Sequence, residues 1–259
     1  FNIEYWQLEE AKLRRMPPEK ELSRKVAVLF GASPGIGRQV AEKLLTAGAH
    51  LVLIDLNAEL ASQQCAELQA KYGAEVVRSI QADITNRESV REAFRHVTRE
   101  YGGVDILASI AAVFIAPSID GHLTDEQWKK TYDINVLGSL IVAQEGGRVM
   151  QAQRTPGSIV LVSSANAVTS KKGSIGYDTS KAAVNHLVRE LAIELSPLVR
   201  VNAVAPATVV EGSQMFPRDR VIFSLTKYNI AFDESESTEA LRSKLAQFYA
   251  KRKIGRAHV

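Results

Sequence analysis

The sequence predicts a single-domain α/β fold, in which a doubly wound parallel sheet carries helices on both of its faces. Short apolar runs alternate with helical segments from residue 26 to residue 204, which is the pattern of consecutive βαβ units. The strand-like runs are apolar almost throughout, as in VAVLF at 26–30, and such runs suit parallel strands that are buried on both faces. The 259 residues are enough for one domain of this kind with a full core.

The elements follow one another with short connections and clear end signals. Glycine or proline ends several of the helical segments, at Gly48, Gly73, Gly102 and Pro197. We expect the pair Gly146-Gly147 to weaken the longest helix locally, because glycine is a poor helix former. The predicted strands span 26–30, 50–54, 75–80, 104–108, 158–163 and 199–204, and the predicted helices span 36–47, 58–72, 87–101, 125–152 and 175–195.

The segments on either side of this alternating pattern predict separate roles. Residues 1–25 are charged and loosely helical with a break at Pro17-Pro18, which predicts a linker or docking segment. Residues 26–210 form the predicted main domain. Residues 211–253 are polar and helix-prone without a strand-like run, and we expect them to form a lid over the substrate.

Both ends of the sequence predict that it belongs to a longer chain. Phe1 stands where an initiator methionine would stand. Residues 254–259 read IGRAHV, which is one reading frame of the sequencing adapter AGATCGGAAGAGCACACGTC. We therefore expect residues 254–259 to be an adapter artefact, and the native chain to continue differently after about Lys251 to Lys253.

The composition argues against nucleic-acid binding, membrane insertion and metal binding. The formal net charge is +3, from 32 basic and 29 acidic residues, and these charges form no long basic run. No apolar stretch approaches the roughly 20 residues of a membrane span. The five histidines lack metal-ligand spacing, and the single cysteine, Cys65, permits no intrachain disulfide. A reducing cytoplasm is the compartment that this cysteine usage favours.

A glycine-rich turn follows the first predicted strand and opens the first predicted helix. Its sequence at 31–37 is GASPGIG, in which the glycines let the backbone turn tightly and approach a ligand closely. A helix N-terminus attracts a pyrophosphate. The turn therefore predicts a dinucleotide site, although its spacing differs from the simple Gly-x-Gly-x-x-Gly pattern. The candidate residues here are Gly31, Ser33, Pro34, Gly35, Ile36 and Gly37.

Two aspartates follow the next two predicted strands. Asp55 ends the second strand, where a carboxylate can accept hydrogen bonds from the adenosine ribose and would repel a 2′-phosphate. It therefore favours NAD over NADP, although it could instead cap the next helix, a role that Asn57 could also fill. Asp83 follows the third strand and could lie near the adenine ring or serve as a turn residue.

Ser164, Tyr177 and Lys181 form a candidate acid/base set. Lys181 lies four residues after Tyr177 in a predicted helix, so that the two side chains share one face. A tyrosine has an ordinary pKa of about 10, and a nearby positive charge favours the phenolate. A serine hydroxyl beside them can hold an oxygen of the substrate. This chemistry predicts interconversion of an alcohol and a carbonyl, although the Tyr-x-x-x-Lys spacing alone is common by chance.

In their order, these motifs resemble the short-chain dehydrogenase/reductase family over residues 24 to 210. The resemblance also includes Asn135 in the segment DINVLG at 133–138. It implies a Rossmann-type fold with a final strand that this sequence lacks. It also implies that Tyr177 is the catalytic acid/base, that Lys181 lowers the pKa of Tyr177 and holds the nicotinamide ribose, that Ser164 orients the substrate oxygen, and that Asn135 binds a water of the proton relay. The implied cofactor contacts add Leu56, Ile84, Ala111, Pro206 and Val209 to the turn, to Asp55 and Asp83, and to Tyr177 and Lys181.

The sequence departs from the family pattern at four places. Phe30 replaces a threonine before the first glycine, residues 109–112 read SIAA where the family has NNAG, Ala207 replaces a glycine, and Glu211 replaces a threonine. The altered segment 109–112 favours, weakly, a non-catalytic NAD-binding module. The intact set of Ser164, Tyr177, Lys181 and Asn135 favours an enzyme.

A narrower resemblance rests on four segments. Residues 5–17, 163–167, 205–210 and 216–220 are similar to the C-terminal dehydrogenase half of bifunctional rhamnulose-1-phosphate aldolase/alcohol dehydrogenases. This resemblance implies a fused aldolase domain before residues 1–25 and a lactaldehyde substrate in rhamnose catabolism. The direction of the reaction stays open, and another sugar-derived alcohol is an alternative substrate. The family also implies a homo-oligomer that associates through helices 125–152 and 175–195.

Two arginines of the lid segment are candidates for substrate contact. Arg218 or Arg220 could meet an anionic group of the substrate or could simply be solvated.

Overall fold

The structure is a computed structural model that describes residues 2–16, 19–32, 34–115, 122–170, 172–210 and 216–251. The strands are β1 (Val26–Phe30), β2 (His50–Asp55), β3 (Val77–Gln81), β4 (Ile106–Ser109), β5 (Gly157–Val162) and β6 (Val199–Val204). The helices are α1 (Asn2–Arg15), α2 (Ile36–Thr46), α3 (Ala58–Tyr72), α4 (Arg87–Tyr101), α5 (Asp125–Tyr132), α6 (Ser139–Gln153), α7 (Ile175–Glu194), α8 (Arg218–Lys227) and α9 (Thr238–Lys251).

The six strands form one parallel sheet in the order β3-β2-β1-β4-β5-β6. This arrangement confirms the predicted doubly wound α/β fold. The chain order reverses at β1, whose two neighbours are β2 and β4. In open parallel sheets a ligand cleft forms outside the carboxyl ends of the strands at this reversal point. The fold therefore predicts a ligand cleft at the carboxyl ends of β1, β2 and β4.

The sheet separates two hydrophobic cores, and β1 contributes to both. Val26, Val28 and Phe30 pack with residues of α4, α6 and α7 on one face. Ala27 and Leu29 pack with residues of α2 and α3 on the other face. Because side chains alternate along a strand, an apolar run without polar positions is what burial on both faces requires.

The observed bounds differ from the predicted ones by one or two residues at several element ends. The third strand begins at Val77 rather than at residue 75, because Ala74–Val76 forms a short 3₁₀ helix. The fourth strand runs over Ile106–Ser109 rather than 104–108. These shifts leave the order and type of the predicted elements unchanged.

The long predicted helix 125–152 is interrupted at a different place from the one expected. The irregularity is a π-helical turn at Asp133–Gly138, between α5 and α6, whereas α6 runs through Gly146 and Gly147 without a break. A Cβ atom on Gly147 would lie 2.8 Å from Cδ1 of Leu195. The pair thus does not break the helix, and these glycines allow close packing of α6 against the core; the expected local weakening stays a prediction.

The segments flanking the sheet contain the helices α1, α8 and α9. Helix α1 exposes its side chains, including Trp6, which is 70% exposed. Helices α8 and α9 pack on each other around a small core of their own that includes Phe216, Leu225 and Leu241. Residues 211–215, 252–253 and the predicted adapter segment 254–259 lie outside the described residues, as do Pro17 and Pro18. The division into linker, main domain and lid stays a prediction.

Candidate active site

A cleft of about 1400 Å³ opens along the carboxyl ends of the central strands. The glycine-rich turn after β1 forms one end of it, and side chains of α8 and α9 cover the other end. The cleft brings together most of the residues that the sequence singles out. The predicted residues that line it are Gly31, Pro34, Gly35, Ile36, Gly37, Asp55, Leu56, Asp83, Ile84, Ala111, Ser164, Tyr177, Lys181, Pro206 and Val209. Ser33 lies outside the described residues.

The glycine-rich turn packs so closely against neighbouring backbone that two of its glycines have no room for a side chain. Gly31 has a φ of 97°, and a Cβ atom there would lie 2.7 Å from the backbone nitrogen of Ala111. A Cβ atom on Gly37 would collide with the carbonyl oxygen of Gly31. Helix α2 begins after Gly35, which has no side chain with which to cap the first N–H groups of the helix. Those groups can therefore meet a phosphate.

Asp55 fixes the turn as well as lining the cleft. Its Oδ2 accepts a hydrogen bond from the backbone N–H of Ala32 at 2.9 Å, and its Oδ1 accepts one from Asn57 at 3.0 Å. The next helix is capped by Asn57, whose side chain accepts from Leu60 N–H at 3.1 Å. The capping role that was an alternative for Asp55 therefore belongs to Asn57. The carboxylate of Asp55 holds the glycine-rich turn against the end of β2.

Asp83 serves as a turn residue and also lines the cleft. Its Oδ1 accepts hydrogen bonds from the backbone N–H and the hydroxyl group of Thr85, at 2.8 and 2.7 Å. Both expectations for Asp83 are thus compatible, because one carboxylate oxygen stabilises the turn while the residue faces the cleft. Ile84, next to it, is buried, whereas Leu56 is 64% exposed at the cleft edge.

The altered segment 109–112 keeps its backbone connection to β1. The N–H groups of Ile110 and Ala111 both donate to the carbonyl of Phe30, at 2.8 and 3.2 Å. Phe30 is fully buried against Phe94. Ser109 is buried, and its hydroxyl has no hydrogen-bond partner among the described residues. The backbone of this segment is therefore tied to the end of β1, close to the glycine-rich turn.

Ser164 and Tyr177 meet on one wall of the cleft. Ser164 begins a short 3₁₀ helix, Ala165–Ala167, and its Oγ accepts the N–H of Asn166 at 3.2 Å. Tyr177, at the start of α7, lines the same cleft. Burial raises the pKa of Tyr177, the Ser164 hydroxyl opposes that rise, and the charge of Asp178 adds to it. The phenol is therefore the resting form of this side chain.

Lys181 is almost fully buried one turn after Tyr177. Its Nζ donates to the carbonyl of Val162 at 2.7 Å and lies 5.7 Å from the centre of the Tyr177 ring. Burial lowers the pKa of Lys181 to about 8. The expected lowering of the pKa of Tyr177 by Lys181 is not seen here, because the shift of Tyr177 comes from burial, Ser164 and Asp178.

Asn135 lies in the π-helical turn, behind the cleft rather than in its wall. Its Oδ1 accepts from the N–H of Val113 at 2.8 Å, and its Nδ2 donates to the Val113 carbonyl and to Ser180 Oγ, both at 3.0 Å. The side chain is fully buried. In this structure its amide holds the strand-end segment beside Tyr177. The expected contact with a relay water stays a prediction.

Aromatic side chains form a part of the cleft that the sequence did not point to. The Phe114 ring contacts the Tyr177 ring edge-on, at 5.4 Å between centroids. The guanidinium of Arg220 lies 4.9 Å from the centre of the Phe114 ring and 4.8 Å from that of Phe216. Tyr228, just after the end of α8, and Tyr249 of α9 also line the cleft. These residues have no motif spacing, so that only the fold brings them together.

The two lid arginines have different surroundings. Arg218 donates to the carbonyl oxygens of Glu234 and Glu236 and so joins the start of α8 to the loop before α9. Arg220 lines the cleft between two aromatic rings. Of the two, Arg220 is therefore the one placed to meet a bound molecule.

Two kinds of site are missing from the part of the chain that the structure describes. No three histidine, cysteine or acidic side chains there are close enough together to hold a metal ion. Within the same residues, no helix combines the length and the apolar character needed to cross a bilayer.

Comparison with known proteins identifies the family. Residues 25–220 match the profile of the short chain dehydrogenase family. The chain belongs to this family. The matched range includes the glycine-rich turn, Asp55, Ser164, Tyr177 and Lys181, so the family resemblance expected from these motifs is confirmed.

Individual short-chain dehydrogenase relatives differ widely in length. The uncharacterized oxidoreductase YuxG of Bacillus subtilis is 34% identical over 217 residues, which are 83% of this chain but 31% of that protein. The chain thus spans about a third of the length of this relative. An NAD-dependent glycerol dehydrogenase of Listeria innocua is 32% identical over 73% of this chain and 72% of its own length. The crystal structure of gox2181 is 31% identical, with a TM-score of 0.72 over 88% of this chain and 89% of that one.

Proposed function

We propose that this domain interconverts a small alcohol and its carbonyl compound, with NAD as the hydride carrier. The observation that carries the proposal is that Ser164 and Tyr177 lie together on one wall of the cleft. The glycine-rich turn forms the end of the same cleft. Interconversion of an alcohol and a carbonyl requires a proton-transfer group and a binding site for a dinucleotide cofactor in the same cavity.

The residues at the glycine-rich end fit a dinucleotide. Gly31 and Gly37 line the cleft and have no space for a Cβ atom, and the start of α2 suits a pyrophosphate. Asp55 lies at the edge where an adenosine ribose would bind. A negative charge there favours NAD over NADP. The name of the Listeria relative, an NAD-dependent glycerol dehydrogenase, supports the same choice.

Proton transfer falls to Tyr177, oriented by Ser164. Because the Ser164 oxygen accepts the N–H of Asn166, its own hydrogen is directed toward the phenol oxygen or a substrate oxygen. A bound nicotinamide cofactor supplies or accepts the hydride. In reduction the phenol of Tyr177 donates its proton to the substrate oxygen, and in oxidation the phenolate accepts it. The raised pKa of Tyr177 keeps the proton on the phenol until a substrate oxygen accepts it.

We propose lactaldehyde, in rhamnose catabolism, as the substrate, and a fused aldolase as the partner domain. The similarity of residues 5–17, 163–167, 205–210 and 216–220 to the bifunctional enzymes supports this. The match to YuxG covers 31% of that relative, which supports a domain of this kind within a much longer protein. Another sugar-derived alcohol is the second candidate, and the name of the Listeria relative, a glycerol dehydrogenase, supports it.

We further propose a cytoplasmic homo-oligomer that associates through α5–α6 and α7. The outer face of α7 supports this, because Ile193 is 73% exposed there. Light scattering of the purified protein tests it, and a monomeric mass at micromolar concentration would exclude it.

A substrate panel tests the enzymatic proposal. Nicotinamide absorbance is followed with lactaldehyde, propanediol, glycerol and xylitol, with NAD(H) and NADP(H) in parallel. We expect turnover with NAD(H) and a 2-hydroxy aldehyde or diol.

The matched control for this panel is Tyr177→Phe, which keeps the ring and its contact with Phe114. We expect it to lower kcat by at least about 10³-fold, because it removes the proton donor, while NAD still binds. Retention of appreciable turnover in Tyr177→Phe would exclude the role of Tyr177. Absence of substrate-dependent change in the unsubstituted protein would favour a non-catalytic NAD-binding module.

A further inference from the structure

We propose that Asn166 recognises a second hydroxyl group of the substrate, on the carbon next to the one that reacts. This inference rests on the proposed function and narrows its substrate class to 2-hydroxy aldehydes and vicinal diols. Asn166 carries no role in the motif that contains Ser164 and Tyr177.

The backbone places Asn166 beside the reacting oxygen. Its N–H donates to Ser164 Oγ at 3.2 Å, and its half-buried side chain lines the cleft. Ser164 is the residue that would hold the reacting oxygen. A side chain two positions further along the same turn, facing the same cleft, is therefore near the neighbouring carbon of a small substrate.

Asp178 fixes the orientation of the Asn166 amide. The Asn166 Nδ2 donates to Asp178 Oδ1 at 2.7 Å, and Asp178 is 8% exposed at the start of α7, next to Tyr177. A carboxylate can only accept hydrogen bonds, so the amide must turn its NH₂ group toward Asp178. The contact joins the segment that carries Ser164 to the helix that carries Tyr177.

The fixed amide presents an acceptor on its other side. With its nitrogen bound to Asp178, the Oδ1 of Asn166 is directed away from that carboxylate, and a substrate hydroxyl can donate to it. A substrate that lacks this hydroxyl displaces water from the Oδ1 of Asn166 and donates no hydrogen bond to it in return. An unpaired buried polar group costs about 1–3 kcal/mol, and sites built to bond a hydroxyl discriminate strongly against analogues that lack it.

The test compares two aldehydes that differ in one hydroxyl group. Reduction of lactaldehyde and of propanal by NADH is measured with the unsubstituted protein and with Asn166→Ala. We expect the ratio of kcat/KM for lactaldehyde over propanal to fall at least about tenfold in Asn166→Ala, mainly through a higher KM for lactaldehyde. Asn166→Ser, whose side chain is too short to span from Asp178 to the substrate, should show the same fall and serves if the alanine variant does not fold.

Thr179→Ala is the matched control. Thr179 is the exposed neighbour of Asp178, and its hydroxyl bonds back to the Ile175 carbonyl at 2.6 Å, so the ratio should not change. An unchanged ratio in the Asn166 variants, or an equal loss of kcat for both aldehydes, would overturn the inference, because the residue would then only support Ser164. If the unsubstituted protein reduces neither aldehyde, the proposed function fails and the inference with it.

Discussion

At the scale of single residues, burial controls the protonation of the titratable side chains in the site. Tyr177 is partly buried and Lys181 almost fully buried, which raises the pKa of Tyr177 and lowers that of Lys181 to about 8. Burial therefore disfavours the ionised form of each side chain. The sequence motif identifies these two residues, but it cannot say how deep they lie, and depth decides their protonation.

The charge of Asp55 is expected to set the cofactor preference. Asp55→Asn removes the charge and keeps one oxygen for the hydrogen bond from Ala32 N–H. Loss of the repulsion of a 2′-phosphate should raise the ratio of kcat/KM for NADP over NAD about tenfold, since a single charge near the surface contributes on the order of 1 kcal/mol or more. Glu59→Gln, an exposed charge at the start of α3, is the control. An unchanged ratio in Asp55→Asn would contradict the role of Asp55.

Lys181 is expected to be destabilising where it is charged. Its pKa falls from 10.5 in the unfolded chain to about 8 in the folded one, so the unfolded state binds more protons between these values and stability rises with pH through this window. Lys181→Met should raise the free energy of unfolding at pH 7 by about 2 kcal/mol, after subtraction of the lost hydrogen bond to the Val162 carbonyl. The melting temperature should therefore rise by several degrees. The rise in stability from pH 8 to 10.5 should also disappear.

The control for this prediction is Lys12→Met, a substitution of an exposed lysine on α1. Its melting temperature should differ little from that of the unsubstituted protein at every pH. A lower melting temperature for Lys181→Met at pH 7 would show that the ammonium group stabilises the fold.

At the scale of elements, the helices are shaped by what they pack against more than by their own propensity. The pair Gly146-Gly147 illustrates this. Helix propensity predicts a weak point in α6, whereas close packing against the core accounts for the presence of glycine at these positions. A Cβ atom on Gly146 would lie 2.5 Å from Leu107 Cδ2 and 3.0 Å from Phe94 Cζ. Sequence patterns report the first effect and contain no information on the second.

Gly146→Ala tests which effect is larger. Helix propensity would stabilise the alanine variant by about 1 kcal/mol, whereas overpacking of a filled core costs about 1–3 kcal/mol. We expect net destabilisation of about 1 kcal/mol or more in chemical denaturation. Gln151→Ala, on the exposed side of α6, should be nearly neutral. A more stable Gly146→Ala would mean that the core has space at this position.

At the scale of the whole molecule, the fold and its cleft could be predicted better than the substrate end. Alternating apolar runs determine six parallel strands, and the glycine-rich turn, Asp55, Ser164 and Tyr177 occupy fixed places in that topology. Phe114, Asn166 and Tyr249 come together only through the tertiary structure. Asn166 and its partner Asp178 are 12 residues apart in elements that no local pattern pairs. That contact could not be predicted from the sequence.

The π-helical turn at Asp133–Gly138 has a consequence for the rotational phase of α6. Such a turn is equivalent to one residue inserted into an α-helix, and one residue corresponds to about 100° of rotation about the helix axis. Without it, α6 would be turned by about 100°, so that one glycine of the pair would take the place of the other and a bulkier neighbour, Glu145 or Arg148, would face the core beside it. The bulge beside Asn135 therefore sets the angular alignment of a core helix, so insertions and deletions are less tolerable there than substitutions.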